Sequence, residues 1–230
     1  MRDFSKFEKK IGVNFKNQEL LKQSFVHRSY INENPNFSLS HNERLEFLGD
    51  AVLELVITEY LYKNFSNPEG ELTNWRASLV NGQMLAKIAK KIGMEEYLYL
   101  SKGESKDTNS KARNYILANA FEALIGAIYL DQKYEVSKEF ISGILIPELP
   151  EILSNKLYLD PKSKFQEMAQ DKVGITPTYQ VLKESGPDHA KKFQVGVYLG
   201  EEMVAASNGS SKQEAQVKAA DLALKKKKWE

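Results

Sequence analysis

The chain has no cysteine and only three histidines in 230 residues. Disulfides, thiolate zinc sites and cysteine nucleophiles are therefore excluded. His27, His41 and His189 lack the i, i+4 spacing around a glutamate that a zinc hydrolase uses, so any site chemistry rests on oxygen ligands and hydroxyls. There is no Gly-x-Ser-x-Gly elbow and no GxxxxGK phosphate loop, and no small-molecule cofactor is expected. A long apolar run is missing too. The longest, Ile116 to Leu130, is 15 residues and carries Asn119 and Glu122, short of the ~20 that a membrane span needs. The amino-terminal MRDFSKFEKK is charged and has no apolar segment before a small-residue cleavage site, which predicts a cytoplasmic protein without membrane association. Charge of one sign is also scarce. Residues 1–158 hold 20 Lys+Arg against 21 Asp+Glu, net −1, and residues 159–230 hold 12 against 10, net +2, so any nucleic-acid contact has to be placed locally.

What is present divides in two. Up to residue 153 apolar residues recur at helical spacing, as in Leu79, Leu85, Ile88, Ala89 and Ile92, with turn-rich breaks at 34–40, 66–70 and 102–110. The helix entering Pro147 is expected to end near Pro147 and Pro150. A connector at 154–158 then leads to a second domain at 159–230. There Asp160-Pro161 reads as an N-cap and first helical residue ahead of the stripe Phe165, Met168 and Ala169. Thr178–Glu184 and the alternating Phe193, Val195, Val197 and Leu199 read as a hairpin, and Met203–Ala206 as a third strand. Ser211 and Glu214 have capping-box spacing before a last helix. The expected fold is an all-α domain plus a small α+β domain in the order α-β-β-β-α.

The carboxylates of the first domain stand out. On a helix, Glu43, Glu46, Asp50 and Glu54 project at about 0°, −60°, −20° and +20°, one narrow stripe on a helix that is otherwise mostly Leu, Val, Phe, Ala and Gly. Like charges at i, i+3 and i+4 repel, and partly desolvated carboxylates shift their pKa, pair, or take up a cation. In Ile116–Leu130, 13 of 15 residues are Ala, Gly, aliphatic or aromatic, and Asn119 and Glu122 lie one turn apart on one face. If these helices face each other, Glu46, Asp50, Asn119 and Glu122 offer hard oxygen ligands suited to Mg²⁺, with Mn²⁺ as a substitute. Two alternatives stand beside this: Glu43 as the N3 residue of a capping box with Ser40, and Asn119 and Glu122 as a buried polar pair satisfied by Arg44 or Arg113.

Asn42-Glu43-Arg44-Leu45-Glu46-Phe47-Leu48-Gly49-Asp50 resembles the nine-residue motif of the ribonuclease III family. His27-Arg28-Ser29-Tyr30 upstream and Phe121–Asp131 downstream agree with the family in order, and the carboxy-terminal unit resembles a double-stranded-RNA-binding domain. The resemblance implies a Mg²⁺-dependent homodimeric endoribonuclease that cuts double-stranded RNA, such as precursor rRNA, leaving 5′-phosphate and 3′-hydroxyl ends. It implies Glu46, Asp50 and Glu122 as catalytic metal ligands, position 119 as the fourth ligand, Glu43 in support, and Phe47 packed across the dimer interface. Ordinary core packing of Phe47 is the alternative. Five positions depart from the family's usual residues: Asn119 for Asp, Asn114-Tyr115 for Glu-Ser, Ser207 for Gly, and Gln213 for a basic residue. Asn119 leaves a second reading open, a weakened or inactive protein of the same fold that binds double-stranded RNA. In the second domain the resemblance places Gln166 and Glu167 on 2′-hydroxyls and the Pro187–His189 loop in a neighbouring minor groove. Ser211, Lys212 and Lys218 would hold phosphate at the start of the last helix.

Overall fold

The structure is a computed structural model and describes residues 2–107, 110–158, 160–187 and 191–229. It forms two compact units, Met1–Tyr158 and Leu159–Glu230.

The first unit is helical, with one isolated bridge between Val26 and Tyr99 among the described residues. Its elements are α1 (Ser5–Ile11), α2 (Gln18–Ser24), α3 (Arg28–Glu33), α4 (Glu43–Asn64), α5 (Glu69–Val80), α6 (Gly82–Lys91), α7 (Lys102–Lys106), α8 (Lys111–Leu145) and α9 (Leu149–Ser154). Capping by short polar side chains explains several starts: Asn81 accepts from the N–H groups of Gln83 and Met84, and Ser110 from that of Arg113.

α8 runs through the centre. Leu117, Ala120, Phe121, Leu124, Ile125 and Ile128 are fully enclosed, which is why a helix so poor in polar residues is stable here. α4 makes the most extensive helix contact with it. The two backbones meet through Gly49 and Gly126: a Cβ on Gly49 would lie 1.8 Å from the Glu122 carbonyl oxygen, and one on Gly126 2.2 Å from that of Leu45. No side chain fits in this crossing, and that closeness positions the candidate site.

Two expectations about the helices change. α5 begins at Glu69, so the break expected at 66–70 is shorter, and within 102–110 the chain forms the short α7. α8 ends at Leu145, near the proline pair as expected. A 3-10 turn over Ile146–Glu148 leads into α9, where Pro150 sits in the first turn, the one place a proline costs no hydrogen bond. Beyond α9, Tyr158 packs edge-on against Trp75, with ring centroids 6.0 Å apart. α8 is also interrupted at Lys133, whose φ of 72° and ψ of −172° are not helical. Contacts from the amino-terminal segment hold this break: the Asp131 carboxylate accepts from the N–H groups of Lys16 and Asn17 (both 2.8 Å), and the Gln132 amide donates to the Asn14 carbonyl (2.8 Å).

The second unit is α10 (Pro161–Val173), β1 (Thr178–Ser185), β2 (Lys192–Leu199), β3 (Glu202–Gly209) and α11 (Lys212–Lys227), with an antiparallel sheet in the order β1-β2-β3. Asp160 caps α10 as its sequence suggests. The core joins Phe165 and Ala169 of α10 to Val197, Leu199 and Val204 of the sheet and Ala219, Ala220, Ala223 and Leu224 of α11. Alternation puts Val195 and Val197 inward on β2, and the register shift between Val181 and Lys183 bends β1. Ser211 caps α11, but the reciprocal half of the expected box is displaced: the Glu214 carboxylate accepts from the Ser210 N–H (2.7 Å).

Trp229 closes this core. Lys228 turns the chain left-handed, the Trp229 N–H reaches the Leu224 carbonyl (3.0 Å), and the indole stacks on Phe165 at 5.6 Å. Deleting Trp229 and Glu230 is expected to destabilise the second unit by about 1–2 kcal/mol and leave the first unchanged, as read by separate thermal transitions. A single unshifted melt would show that the indole contributes nothing.

Candidate active site

Glu46 and Asp50 of α4 flank the Gly49 crossing, and Glu122 of α8 supplies the carbonyl that Gly49 faces. Tight backbone approach therefore sets these carboxylates against one another. Burial, then the charges of Asp50, Glu46 and Glu54, pushes the Glu122 carboxyl up to about 8. Glu46 is raised by burial and by the neighbouring charges of Glu43 and Asp50, partly opposed by a hydrogen bond from Asn119. Asn119 thus belongs to the same cluster. Among the described residues, no three His, Asp or Glu side chains already stand in a cation-holding arrangement. The donor set is nonetheless oxygen only, and its mutual repulsion is what a divalent ion relieves, so the residues fit Mg²⁺. A hollow of about 900 Å³ lies elsewhere, between the end of α4 and the start of α5, and no member of the cluster lines it.

The surrounding residues take definite places. Glu43 is the first residue of α4, not its third. The N-cap is Asn42, which is buried with its amide donating to the Ser24 carbonyl (3.0 Å), so the box with Ser40 does not form. The Glu43 carboxylate instead lies 3.7 Å from both the Arg28 guanidinium and the His41 ring. Glu54 pairs with Arg76 at 2.8 Å. Arg113 does not satisfy Asn119 or Glu122. It is buried and donates to the carbonyls of Asp107 (2.9 Å) and Glu104 (3.0 Å), holding the segment before α8. Arg44 is exposed. Phe47 is 81% exposed, which removes the core alternative within its own unit, and Leu55 and Tyr62 are exposed further along α4.

The residue pattern of His27-Arg28-Ser29 assigns that segment no role of its own. His27 caps α3, its Nδ1 accepting from the Ser29 N–H and lying 2.8 Å from the Ser29 hydroxyl, and that hydroxyl accepts from the Ser101 N–H (3.1 Å). The Lys102 N–H donates to Glu33 (3.0 Å), so the start of α7 is tied to α3, and Arg28 reaches Glu43 from the same helix. The only hint in the sequence is that His, like Ser or Asn, can accept a hydrogen bond at a helix start.

In the second unit Gln166 and Glu167 are exposed on α10 and line a shallow hollow with Ser163, Gln170 and Asp171. Pro187 is exposed, while His189 lies outside the described residues. Ser211, Lys212 and Lys218 are exposed around the start of α11. Both lysines have partners within the unit: Lys212 is 3.0 Å from Glu184 and lies over the Phe193 ring, and Lys218 is 2.7 Å from Glu214. Lys218, with Ser210, holds the Glu214 carboxyl down to about 2.

Comparison with known proteins covers both units. Residues 17–149 match the Ribonuclease-III-like family model, and residues 161–227 match the double-stranded RNA binding motif. The chain is 45% identical over 226 residues to ribonuclease 3 of a Nitratiruptor species, covering 98% of this chain and 97% of that one. It is 41% identical over 223 residues to ribonuclease 3 of Enterococcus faecalis, covering 96% of each. The nuclease domain of ribonuclease III from Campylobacter jejuni superimposes with a TM-score of 0.58 at 36% identity, covering 65% of this chain and 98% of that domain. With the motif helix crossing α8 at the carboxylates and an RNA-binding module after it, this chain belongs to the ribonuclease III family and is an endoribonuclease of that type.

Proposed function

We propose that this chain hydrolyses phosphodiester bonds in double-stranded RNA with the help of Mg²⁺, acting on structured precursors such as rRNA and leaving 5′-phosphate and 3′-hydroxyl ends. Glu46, Asp50 and Glu122 would hold the ion with the amide oxygen of Asn119, and Mn²⁺ would serve in its place. The observation that carries this reading is the Glu122 carboxyl, pushed up to about 8 by burial among three other carboxylates, an arrangement that costs the fold stability unless a cation uses it. When bound, Mg²⁺ supplies a Lewis acid that activates water and neutralises charge on the phosphoryl oxygens. The protein's part is placement: Gly49 and Gly126 fix the separation of the carboxylates, and Asn119 orients Glu46 by hydrogen bonding. Glu43, held between Arg28 and His41, supports the entrance.

The second unit would hold the duplex. Gln166, Glu167 and the loop containing Pro187 and His189 face minor grooves, while Ser211, Lys212 and Lys218 take phosphates, so base sequence matters little. The active form is a homodimer with Phe47 packed across the two-fold axis. Exposed Phe47, Leu55 and Tyr62 on one helix support this, as does the C. jejuni nuclease domain, whose structure is described for flexibility in a region involved in dimer formation. The cytoplasm is its place of action. Among the described residues no helix is long and apolar enough to cross a membrane.

Asn119 supports a variant of this reading in which chemistry is slowed. A long RNA duplex incubated with and without Mg²⁺ tests both. Cutting by the unsubstituted chain is expected only with Mg²⁺, rising about tenfold in Asn119→Asp because the site regains a negative charge. Activity appearing only in Asn119→Asp would mark the natural chain as an RNA-holding protein. Equal rates with and without Mg²⁺ would remove the metal.

A further inference from the structure

We propose that the hollow beside Tyr115 is a second RNA subsite, on the nuclease unit itself, which takes the ribose–phosphate backbone next to the bond that is cut. The inference rests on the endoribonuclease reading of the neighbouring carboxylates and adds a binding site to it.

Lys111, Tyr115, Asn119 and Glu122 follow one another at i, i+4, i+8 and i+11 along α8, a single face of the helix. Tyr115 stands roughly 6 Å up the axis from Asn119 and roughly 10 Å from Glu122. Any polymer chain laid across the carboxylates in this direction meets Tyr115 next. Beside it is a hollow of about 370 Å³ lined by Asn81, Gly82, Gln83, Lys111, Asn114 and Tyr115. No carboxylate lines it.

Its chemistry matches a sugar-phosphate strand. Tyr115 is 57% exposed, so the ring is not needed for the core, and Lys111 Nζ lies 5.9 Å from the ring centroid. Among the described residues Lys111 has no carboxylate partner, unlike Lys212 and Lys218 of the second unit. Its charge is therefore open to a phosphate. The Lys90 ammonium occupies the Asn114 amide oxygen (2.8 Å), which leaves that amide with donors to offer. The first amides of α6 are not part of the site, since the Asn81 side chain already accepts from Gln83 and Met84. The wide, shallow minor groove of A-form RNA exposes riboses and 2′-hydroxyls, and an aromatic ring with amides and one cation at its edge suits that surface.

The full-length chain with Tyr115→Ala, Tyr115→Phe or Lys111→Gln tests the subsite in two measurements. With Mg²⁺, KM and kcat are measured on an RNA duplex. In chelator, duplex affinity is measured against salt concentration. Tyr115→Ala is expected to raise KM about 5–10-fold with kcat within about twofold, and Tyr115→Phe to recover most of the loss. Lys111→Gln is expected to weaken binding and flatten the logarithmic salt slope by about one phosphate contact. Unchanged KM, affinity and salt slope in Tyr115→Ala and Lys111→Gln would overturn the proposal, as would a fall in kcat alone. Absence of cutting by the unsubstituted chain would defeat the catalytic reading separately, and the chelator measurement would then decide the subsite on binding alone.

Discussion

Glu122→Gln is expected to lower duplex cleavage by about a thousandfold or more while making the metal-free protein more stable. Both effects have one origin. Burial and the charges of Asp50, Glu46 and Glu54 raise the Glu122 carboxyl to about 8, so in the absence of a cation the folded state prefers it protonated. A folded pKa above the unfolded value favours folding fully below about 4.5, and that contribution is lost as pH rises through about 8. In chelator, the natural chain should therefore lose thermal stability between pH 6 and pH 8.5 relative to Glu122→Gln, which has no proton to lose at that position. At pH 8.5 the variant should melt roughly 3–8 °C higher. Mg²⁺ should raise the melting temperature of the natural chain and not that of the variant, and its affinity should increase with pH because binding displaces the proton. Parallel melting curves across this pH range would show that Glu122 is not crowded by its neighbours.

Gly49→Ala should be nearly as damaging for a different reason. The added methyl would lie 1.8 Å from the Glu122 carbonyl oxygen, 2.7 Å from its carbon and 2.8 Å from the Gly126 nitrogen, all backbone atoms that cannot rotate away. The helices would have to separate, at a cost of about 3 kcal/mol or more, and the melting temperature should fall by roughly 10 °C. Whatever protein still folds should cut poorly, because a shift of about 1 Å in a catalytic group can cost on the order of a hundredfold in rate. Gly143→Ala on α8, the helix that Gly49 abuts, is the control. A Cβ there meets nothing within 4 Å, so the better helix former should be neutral or slightly stabilising. Equal losses in the two variants would mean that these helices suffer from any added methyl and that the crossing is not special.

The carboxylate stripe and the α-β-β-β-α unit are legible in the sequence because both follow from side-chain periodicity, which a sequence carries openly. The crossing at Gly49 and Gly126 is not. Each glycine reads locally as a small residue on an apolar helix, and only the partner backbone reveals why nothing larger stands there. The spacing from Ser40 suggests a capping box for Glu43. In the fold, the buried side chain of Asn42 occupies the cap position and turns Glu43 toward Arg28. The break at Lys133 carries no glycine or proline to announce it, since the ties come from residues 14–17, over a hundred positions away. Asn119 and Glu46 sit on different helices, and only the structure shows the hydrogen bond by which Asn119 partly opposes the rise of the Glu46 carboxyl. The Tyr115 hollow unites two helices distant in sequence, and no spacing pattern announces such a meeting.

The independent core closed by Trp229 has a genetic corollary. A copy crippled at Glu122 keeps an intact module for gripping substrate, so in a cell that also makes the natural copy it would compete for transcripts. Mutations in the carboxylates should for that reason behave as dominant inhibitors, whereas mutations that unfold the small module should be recessive.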